Sequence, residues 1–270
     1  MESTIETVET KETIFQKKIE QIMNKEKGLS YSALRAFLQS PKHFFRYKTA
    51  PKTTKAMEDG KIFHMSILEP VEFENNYWVL DDTEKVKKIG GAKPRGTNEY
   101  KTWLQKQIAQ NQGKERISIQ DYNLYKEMEK YLRTCSATRD LMSGLSETEK
   151  SISFEYNDFL ITGKIDGLGN NYILDLKKVA NADFNKVRWS IRDNNYDLQA
   201  AIYSAYTGIY NYYLIFIDND INVTVVKLSK ETLQTGFNKL DNSLIEFRRC
   251  AEEDLFLSSY EFYNRGFVEI

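Results

Sequence analysis

The apolar residues of this chain change their spacing at Ser151. Upstream they recur every three or four positions, whereas Ile152, Phe154 and Tyr156 alternate with polar residues. A period of two specifies a strand with one face turned to a core, and the longer period specifies helices. Further strands are predicted at Phe159 to Asp166 and Asn171 to Lys177, joined by a turn over Gly167 to Asn171. Two more follow at Tyr212 to Ile217 and Val223 to Leu228, linked by Asp218-Asn219-Asp220. A helix over Tyr196 to Tyr206 separates the three strands from the two. This order predicts an α/β fold, a mixed central β-sheet flanked by helices, with no internal repeat.

Ahead of the sheet the chain reads as helical. A serine in Leu29-Ser30-Tyr31-Ser32 caps a helix whose Leu34, Phe37 and Leu38 recur until Pro41. Met57 to Leu68 carries the stripe Ile62, Phe63, Ile67 and Leu68, holds His64, and ends before Pro70. Helices over Glu99 to Gln110 and Ser118 to Leu132 read as insertions before the sheet. Between them, Asp81 to Gly96 gathers Lys85, Lys87, Lys88, Lys93 and Arg95 with Gly90-Gly91 and Pro94, the makeup of a mobile basic loop beside a DNA channel. Residues 1 to 27 read as a flexible polar leader with a weak helical period through Ile14, Ile19 and Ile22, and residues 28 to 270 as a single domain. Two terminal helices are expected, from about Lys230 and from Glu252.

Composition narrows the function classes. With 41% hydrophobic and 29% charged residues the chain can build a sizeable core under a solvated surface. Its apolar runs are far shorter than the roughly 20 residues of a membrane span. The acidic start Met1-Glu2-Ser3-Thr4 lacks the features of a secretory signal, so a cytoplasmic location is expected. Cys135 and Cys250 form no CxxC pair, which gives no support to a disulfide framework or a zinc or iron–sulfur site. A net charge of −1 rules against an indiscriminate polycation but leaves room for a local basic groove around an acidic centre.

Chemistry concentrates in Tyr172-Ile173-Leu174-Asp175-Leu176-Lys177. Asp175 and Lys177, two apart on a strand, project to one face, and Asp166 ends the preceding strand. An Asp-x-Lys tripeptide alone is most simply a surface ion pair. In an otherwise apolar strand, however, unpaired charges are costly unless they form a site. Two carboxylates and an ammonium suit phosphodiester hydrolysis: carboxylate oxygens hold Mg²⁺, the metal activates water, and the lysine orients it. Gln199 and Tyr203, four apart, share a helix face. Periodicity alone leaves open whether they face a substrate or whether Tyr203 packs among Ile202 and Tyr206. Glu155, on an alternating strand near the site, reads as an exposed carboxylate and is not counted as catalytic.

These residues and their order resemble the PD-(D/E)xK nuclease superfamily, in particular the phage and prophage exodeoxyribonuclease VIII group related to RecB-type nuclease domains. The resemblance runs through Leu29-Ser30-Tyr31-Ser32 and Pro41, Gly60-Lys61-Ile62-Phe63-His64 with Leu68-Glu69-Pro70, Lys164-Ile165-Asp166-Gly167, Asp175-Leu176-Lys177, and Tyr196-Asp197-Leu198-Gln199 with Tyr203. It spans about residues 29 to 230. It implies a restriction-endonuclease-like sheet in which Asp166, Asp175 and Lys177 are catalytic. His64, Asp166, Asp175 and the Leu176 carbonyl become metal ligands, and Gln199 and Tyr203 position substrate. For His64 the residue alone favours a hydrogen-bonded core histidine, and the Gly60-x-x-x-His64 match reverses that preference.

The implied activity is Mg²⁺-dependent, two-metal exonucleolytic degradation of linear double-stranded DNA from 5′ to 3′, with Mn²⁺ able to substitute. A structure-selective endonuclease, or an inactive nuclease fold that binds DNA or protein, are the alternatives. The resemblance also brings a role in phage-type recombination beside a single-strand annealing protein, and a ring-shaped homo-oligomer. Iron–sulfur relatives carry Cys before the proline of the first motif, where this chain has Ser40-Pro41, so no such cluster is expected. Lys178 stands where a small hydroxyl residue is common, and is read as meeting a phosphate or solvent.

Overall fold

The computed structural model describes residues 10 to 260. Helix α1 (Lys11–Met23) leads into a two-residue strand β1 (Leu29–Ser30) and helices α2 (Tyr31–Gln39), α3 (Pro41–Thr49), α4 (Lys55–Leu68) and α5 (Pro70–Asn76). Next come β2 (Tyr77–Leu80), α6 (Thr83–Ile89), α7 (Asn98–Gln110), β3 (Glu115–Ser118), α8 (Ile119–Thr134) and α9 (Arg139–Ser143). Strands β4 (Leu145–Tyr156), β5 (Phe159–Gly169) and β6 (Ile173–Lys178) are followed by α10 (Phe184–Asp193) and α11 (Tyr196–Thr207). Strands β7 (Tyr212–Ile217) and β8 (Val223–Lys227) and helix α12 (Lys230–Glu252) complete the order. The fold is mixed α/β, as the change of period predicts. No described helix is long and apolar enough to cross a membrane.

The sheet is organised around β5. Strand β4 pairs antiparallel with nearly its whole length, from Tyr156–Phe159 to Leu145–Gly169. Both remaining partners therefore share the other edge: β1 runs parallel to Ile161 and Thr162, and β6 antiparallel to Gly167 and Leu168. The β5–β6 ladder stops at the Gly167–Leu174 pair, beyond which the strands part. Strand β6 then pairs parallel with β7 over six residues, and β7 antiparallel with β8. Strands β2 and β3 form a separate parallel pair.

Alternation along the central strands sends side chains into two apolar clusters. Ile173, Tyr212, Leu214 and Phe216 join a cluster with α1, α2, α11 and α12. Leu174, Leu176, Ile215 and Ile217 join one with α4, α5 and α8. A strand covered on both faces reads as a near-continuous apolar run, as β7 does. Asp175 and Lys177, in phase with Ile173, therefore turn towards α11. Gly163 of β5 admits the Tyr203 ring: a Cβ there would lie 2.8 Å from it.

Several expectations need correction. The leader is not loose over residues 11 to 23, because α1 buries Phe15, Ile19 and Ile22. The Phe15 ring sits edge-on to Phe45 at 4.7 Å and to Phe256 at 5.3 Å. Its apolar residues are few, which weakens the period, but they fall on one stripe. Residues 1 to 9 lie outside the described residues. The basic stretch expected as a mobile loop forms α6 and a 3-10 turn, pinned where Arg95 donates to Asp82 at 2.6 and 2.9 Å and Tyr100 Oη donates to the same carboxylate at 2.6 Å. Pro41 does end α2, yet it also begins α3, with buried Ser40 accepting from His43 N at 3.2 Å, since proline suits a first helical turn. The expected turn from Gly167 is still strand until Gly169. Among the described residues one long helix ends at Glu252, and no second terminal helix follows. Helix α10 is a further element that the strand-and-helix order above omits, although Phe184, Val187 and Ile191 recur at helical spacing and Val187 is buried.

Two glycines give opposite predictions. Gly236 lies where α12 crosses α11, and a Cβ there would meet the Asp197 carbonyl oxygen at 2.0 Å. Gly236→Ala should destabilise by about 1–3 kcal/mol despite better helix propensity. Gly60, inside α4 with nothing within 4 Å of its would-be Cβ, should stabilise by roughly 0.5–1 kcal/mol when changed to Ala. Calorimetric Tm values moving in the same direction for both variants would refute this packing.

Candidate metal centre and catalytic cluster

Where β5 and β6 part, Leu176 N loses its ladder partner, and the Asp166 carboxylate takes it: Leu176 N donates to Oδ2 at 2.8 Å. The bond fixes Asp166 at the mouth of the splay. His64, from α4, approaches the same oxygen with Nδ1 at 3.4 Å. The third member of the group was missed in the sequence. Glu149 falls between the register pairs Thr148–Gly167 and Lys150–Ile165, which sets it opposite Asp166. Its Oε1 lies 3.6 Å from His64 Nδ1, and its Oε2 lies 2.6 Å from Lys164 Nζ.

Facing carboxylates repel, so this arrangement needs cations to hold it. Glu149 also carries a φ of +51°, a left-handed conformation that costs a non-glycine residue about 1–3 kcal/mol. Strain and like-charge crowding therefore coincide at Glu149. One ligand atom from each of His64, Glu149 and Asp166 lies within 4.8 Å of the others. They line a cleft of about 370 Å³ with Gly60, Met65 and Glu69.

The donor set fits a hard divalent cation. Glu149 Oε1 is buried without a hydrogen-bond partner, an orphaned acceptor aimed at an imidazole and a second carboxylate. Burial pushes the Asp166 carboxyl up, but the charge and hydrogen bond of His64, the charge of Lys177 and the Leu176 N–H together bring it down to about 2. Burial pushes His64 down, and Asp166 and Glu149 more than reverse this, raising it to about 10. The two carboxylates thus favour positive charge at this position.

On the α11 side lies a second group. Asp175 is fully buried, with Oδ2 2.6 Å from Lys177 Nζ but outside hydrogen-bond geometry. Gln199 bridges the pair: its Nε2 donates to Asp175 Oδ1 at 3.0 Å, and its Oε1 accepts from Lys177 Nζ at 3.2 Å. Nε2 also reaches Tyr203 Oη at 3.3 Å, and that hydroxyl donates to the Lys164 carbonyl at 2.7 Å. The Lys177 ammonium sits 4.7 Å from the centre of the Tyr196 ring. Burial pushes Lys177 down, but Asp175 and Asp166 raise it further and keep it cationic. Burial pushes Asp175 up to about 7 against the pull of Lys177, with Asp166 adding to the rise. Complete burial outweighs the ion pair at the carboxyl.

The sequence-predicted residues therefore divide. His64 and Asp166 meet with Glu149, whereas Asp175, Lys177, Gln199 and Tyr203 form a hydrogen-bonded chain behind them. The two groups touch through the Leu176 N–H and the Lys164 backbone. Glu155, by contrast, is spent on Lys25 at 2.7 Å at the far end of β4. Lys178 turns to the other face, 3.5 Å from Asp59 and 5.7 Å from the Tyr125 ring centre, so it is not placed as a phosphate contact.

Comparison with solved structures finds similar folds at low identity. A protein of Eubacterium rectale named as a candidate exonuclease is 12% identical, with a TM-score of 0.56 over 98% of this chain and 96% of its own. A phage-related exonuclease from Haemophilus somnus 129PT, 12% identical, covers 64% of this chain and 93% of its own at a TM-score of 0.34. An alkaline exonuclease from Laribacter hongkongensis, 13% identical, covers 72% and 95% at 0.28. Likeness at 0.34 and 0.28 bears no weight, and at 0.56 it speaks for the fold alone. No curated protein matches the sequence. The family model described as a PDDEXK-like domain of unknown function (DUF3799) matches residues 30–256, which is most of the chain, and the chain belongs to that family.

Proposed function

We propose that the protein is a divalent-metal-dependent deoxyribonuclease, and within that class an exonuclease that degrades linear double-stranded DNA from the 5′ end. The observation that carries the nuclease reading is the convergence of His64, Glu149 and Asp166 within 4.8 Å around an orphaned carboxylate oxygen. Membership of a PDDEXK-like family agrees with it. The exonuclease mode and polarity rest on the motif resemblance between Leu29 and Tyr203.

In this reading His64, Glu149 and Asp166 hold the ion, and Asp175 serves beside them. The Leu176 carbonyl joins them, because a residue's N–H and C=O leave a strand on the same side and Leu176 N already faces Asp166. A divalent ion held there, Mg²⁺ or Mn²⁺, supplies stabilisation of phosphate charge and activation of water. The protein side chains do the rest. Lys177, a cation with three donors and no acceptor, donates to an oxygen of the scissile phosphate or orients the attacking water. Gln199 holds that ammonium and Asp175 in register, and Tyr203 anchors Gln199 to the β5 backbone. The two acts as a support for substrate positioning more than as a direct contact, because the Tyr203 hydroxyl is occupied by Lys164 O.

Metal binding can be read without cleavage. Mn²⁺ at about 100 times its Kd should stabilise the fold by roughly 2.7 kcal/mol, seen as a rise in Tm. Glu149→Gln and His64→Ala should weaken binding at least about tenfold. An unchanged Tm in Mn²⁺, or parent-like metal affinity in both variants, would sink the centre.

Lys177→Ala and Asp166→Asn should each lower cleavage on the order of 10²- to 10³-fold or more while the fold persists, and Lys178→Ala should leave it near the parent rate. Polarity is tested by a time course on 5′- and 3′-labelled linear duplexes beside a closed circle. Early release of 5′ label with an intact circle is expected. Nicking of the circle at a comparable rate would replace the exonuclease with an endonuclease.

A further inference from the structure

A groove of about 770 Å³ opens between α10, β8 and the amino end of α12, outside the two clusters above. Its walls are apolar at Ile191, Val226 and Leu228, and its rim is basic. Arg188, Arg192 and Lys227 line it without an ion-pair partner among the described residues. The one carboxylate in the lining, Asp197, is committed to Lys239 at 2.7 Å. Trp189 stands at the same rim, 59% exposed, with the Arg192 guanidinium 5.9 Å from its ring centre. Helix α10 buries only Val187, so this tryptophan is no part of the core.

Three uncompensated cations around one groove repel each other, and an anion relieves them. A bare inorganic anion would leave most of 770 Å³ empty and would not use the indole. A polynucleotide strand brings phosphates for the cations and flat bases for the ring, the pairing that single-strand binding surfaces combine. The strand must be single, because inside a duplex the faces of the bases are already covered by their neighbours.

We infer that the α10–β8–α12 groove is a binding site for single-stranded DNA, with Trp189 stacking on a base and Arg188, Arg192 and Lys227 on the phosphates. The inference rests on the nuclease reading for the identity of the polymer, and the location supports it. Tyr196 and Asp197 are neighbours in sequence: the first lies under Lys177 and the second lines the groove. The contact under Lys177 and the groove lining are thus one residue apart on α11.

The test uses the purified full-length protein in EDTA with a short fluorescein-labelled oligothymidylate, reading anisotropy and quenching of tryptophan emission. Trp189→Ala should weaken binding about 5- to 150-fold and abolish the quench, whereas Trp189→Phe should keep most of the affinity. Arg188→Glu with Arg192→Glu should weaken binding and flatten the slope of log K against log salt by about 0.7 per lost contact. Parent-like affinity in both the alanine and the double variant would overturn the site. So would equal binding of polyglutamate, which has the charge without the rings, or equal quenching by a blunt duplex. Groove-dependent binding in a protein that cleaves no DNA with Mn²⁺ would refute the nuclease reading alone. Cleavage by a protein whose oligonucleotide binding ignores these residues would refute the groove alone.

Discussion

One hydrogen bond holds the architecture of the site together: Leu176 N to the Asp166 carboxylate. Had the β5–β6 ladder continued past Gly167–Leu174, that N–H would be spent on a backbone carbonyl and the sheet would close over the position of the cleft. Parting the strands exposes a backbone donor, and a buried donor without a partner costs about as much as a lost hydrogen bond. Asp166 meets that need from its own strand. The acid therefore does two things at once: it caps the splay, and it offers its charge to His64 across the gap.

The charges follow from that position. Glu149, Asp166 and Asp175 are three carboxylates with little access to water, and isolated buried charges are prohibitively costly. Each is answered by a different cation. Lys164 takes Glu149, His64 takes Asp166, and Lys177 takes Asp175. The compensation is incomplete, since Glu149 Oε1 and Asp175 Oδ2 remain without hydrogen bonds, as do the buried hydroxyls of Ser204 and Tyr212. Unfilled carboxylate oxygens at Glu149 and Asp175 leave negative charge that an added cation would answer. The left-handed backbone at Glu149 adds local strain at the same place.

Much of this was legible in the residues. The central strands, α4 with His64, α11 with Gln199 and Tyr203, and the shared face of Asp175 and Lys177 all follow from period and spacing. Glu149 is legible too, through the turn that precedes β5. Asn157-Asp158 form a two-residue connection, both with positive φ, of the kind that sets hairpin register. Counting back from the Tyr156–Phe159 pair places residue 149 opposite Asp166, whereas alternation alone drew attention to Glu155. What could not be read was non-local. The packing of α1 depends on Phe45 and Phe256, far away in the chain. The order of α6 depends on where Asp82 finds Arg95 and Tyr100. The basic residues of that stretch look alike on paper, and only their partners separate a pinned surface from an open one.

That distinction also orders the rest of the surface. Lys85, Arg95 and Lys178 are matched by Glu99, Asp82 and Asp59, so their charge is largely cancelled for any incoming anion. Around α10, Arg188 and Arg192 have no ion-pair partner among the described residues, although the chain as a whole carries a net charge of −1. The corner between α10 and α11 makes that local field part of the site. Asn195 takes the left-handed conformation, with φ of +54°, that lets α11 start immediately, and Lys239 fastens both Asn195 and Asp197 at 2.8 and 2.9 Å. Asparagine is among the few non-glycine residues that tolerate this conformation readily. The same rigid corner thus sets the angle at which Tyr196 meets Lys177 and the angle at which α10 faces α12. Gln199, two residues beyond Asp197, inherits its position from that corner. The Asp175–Lys177–Gln199 cluster and the basic groove are therefore both positioned by the corner that Lys239 fastens at Asn195 and Asp197.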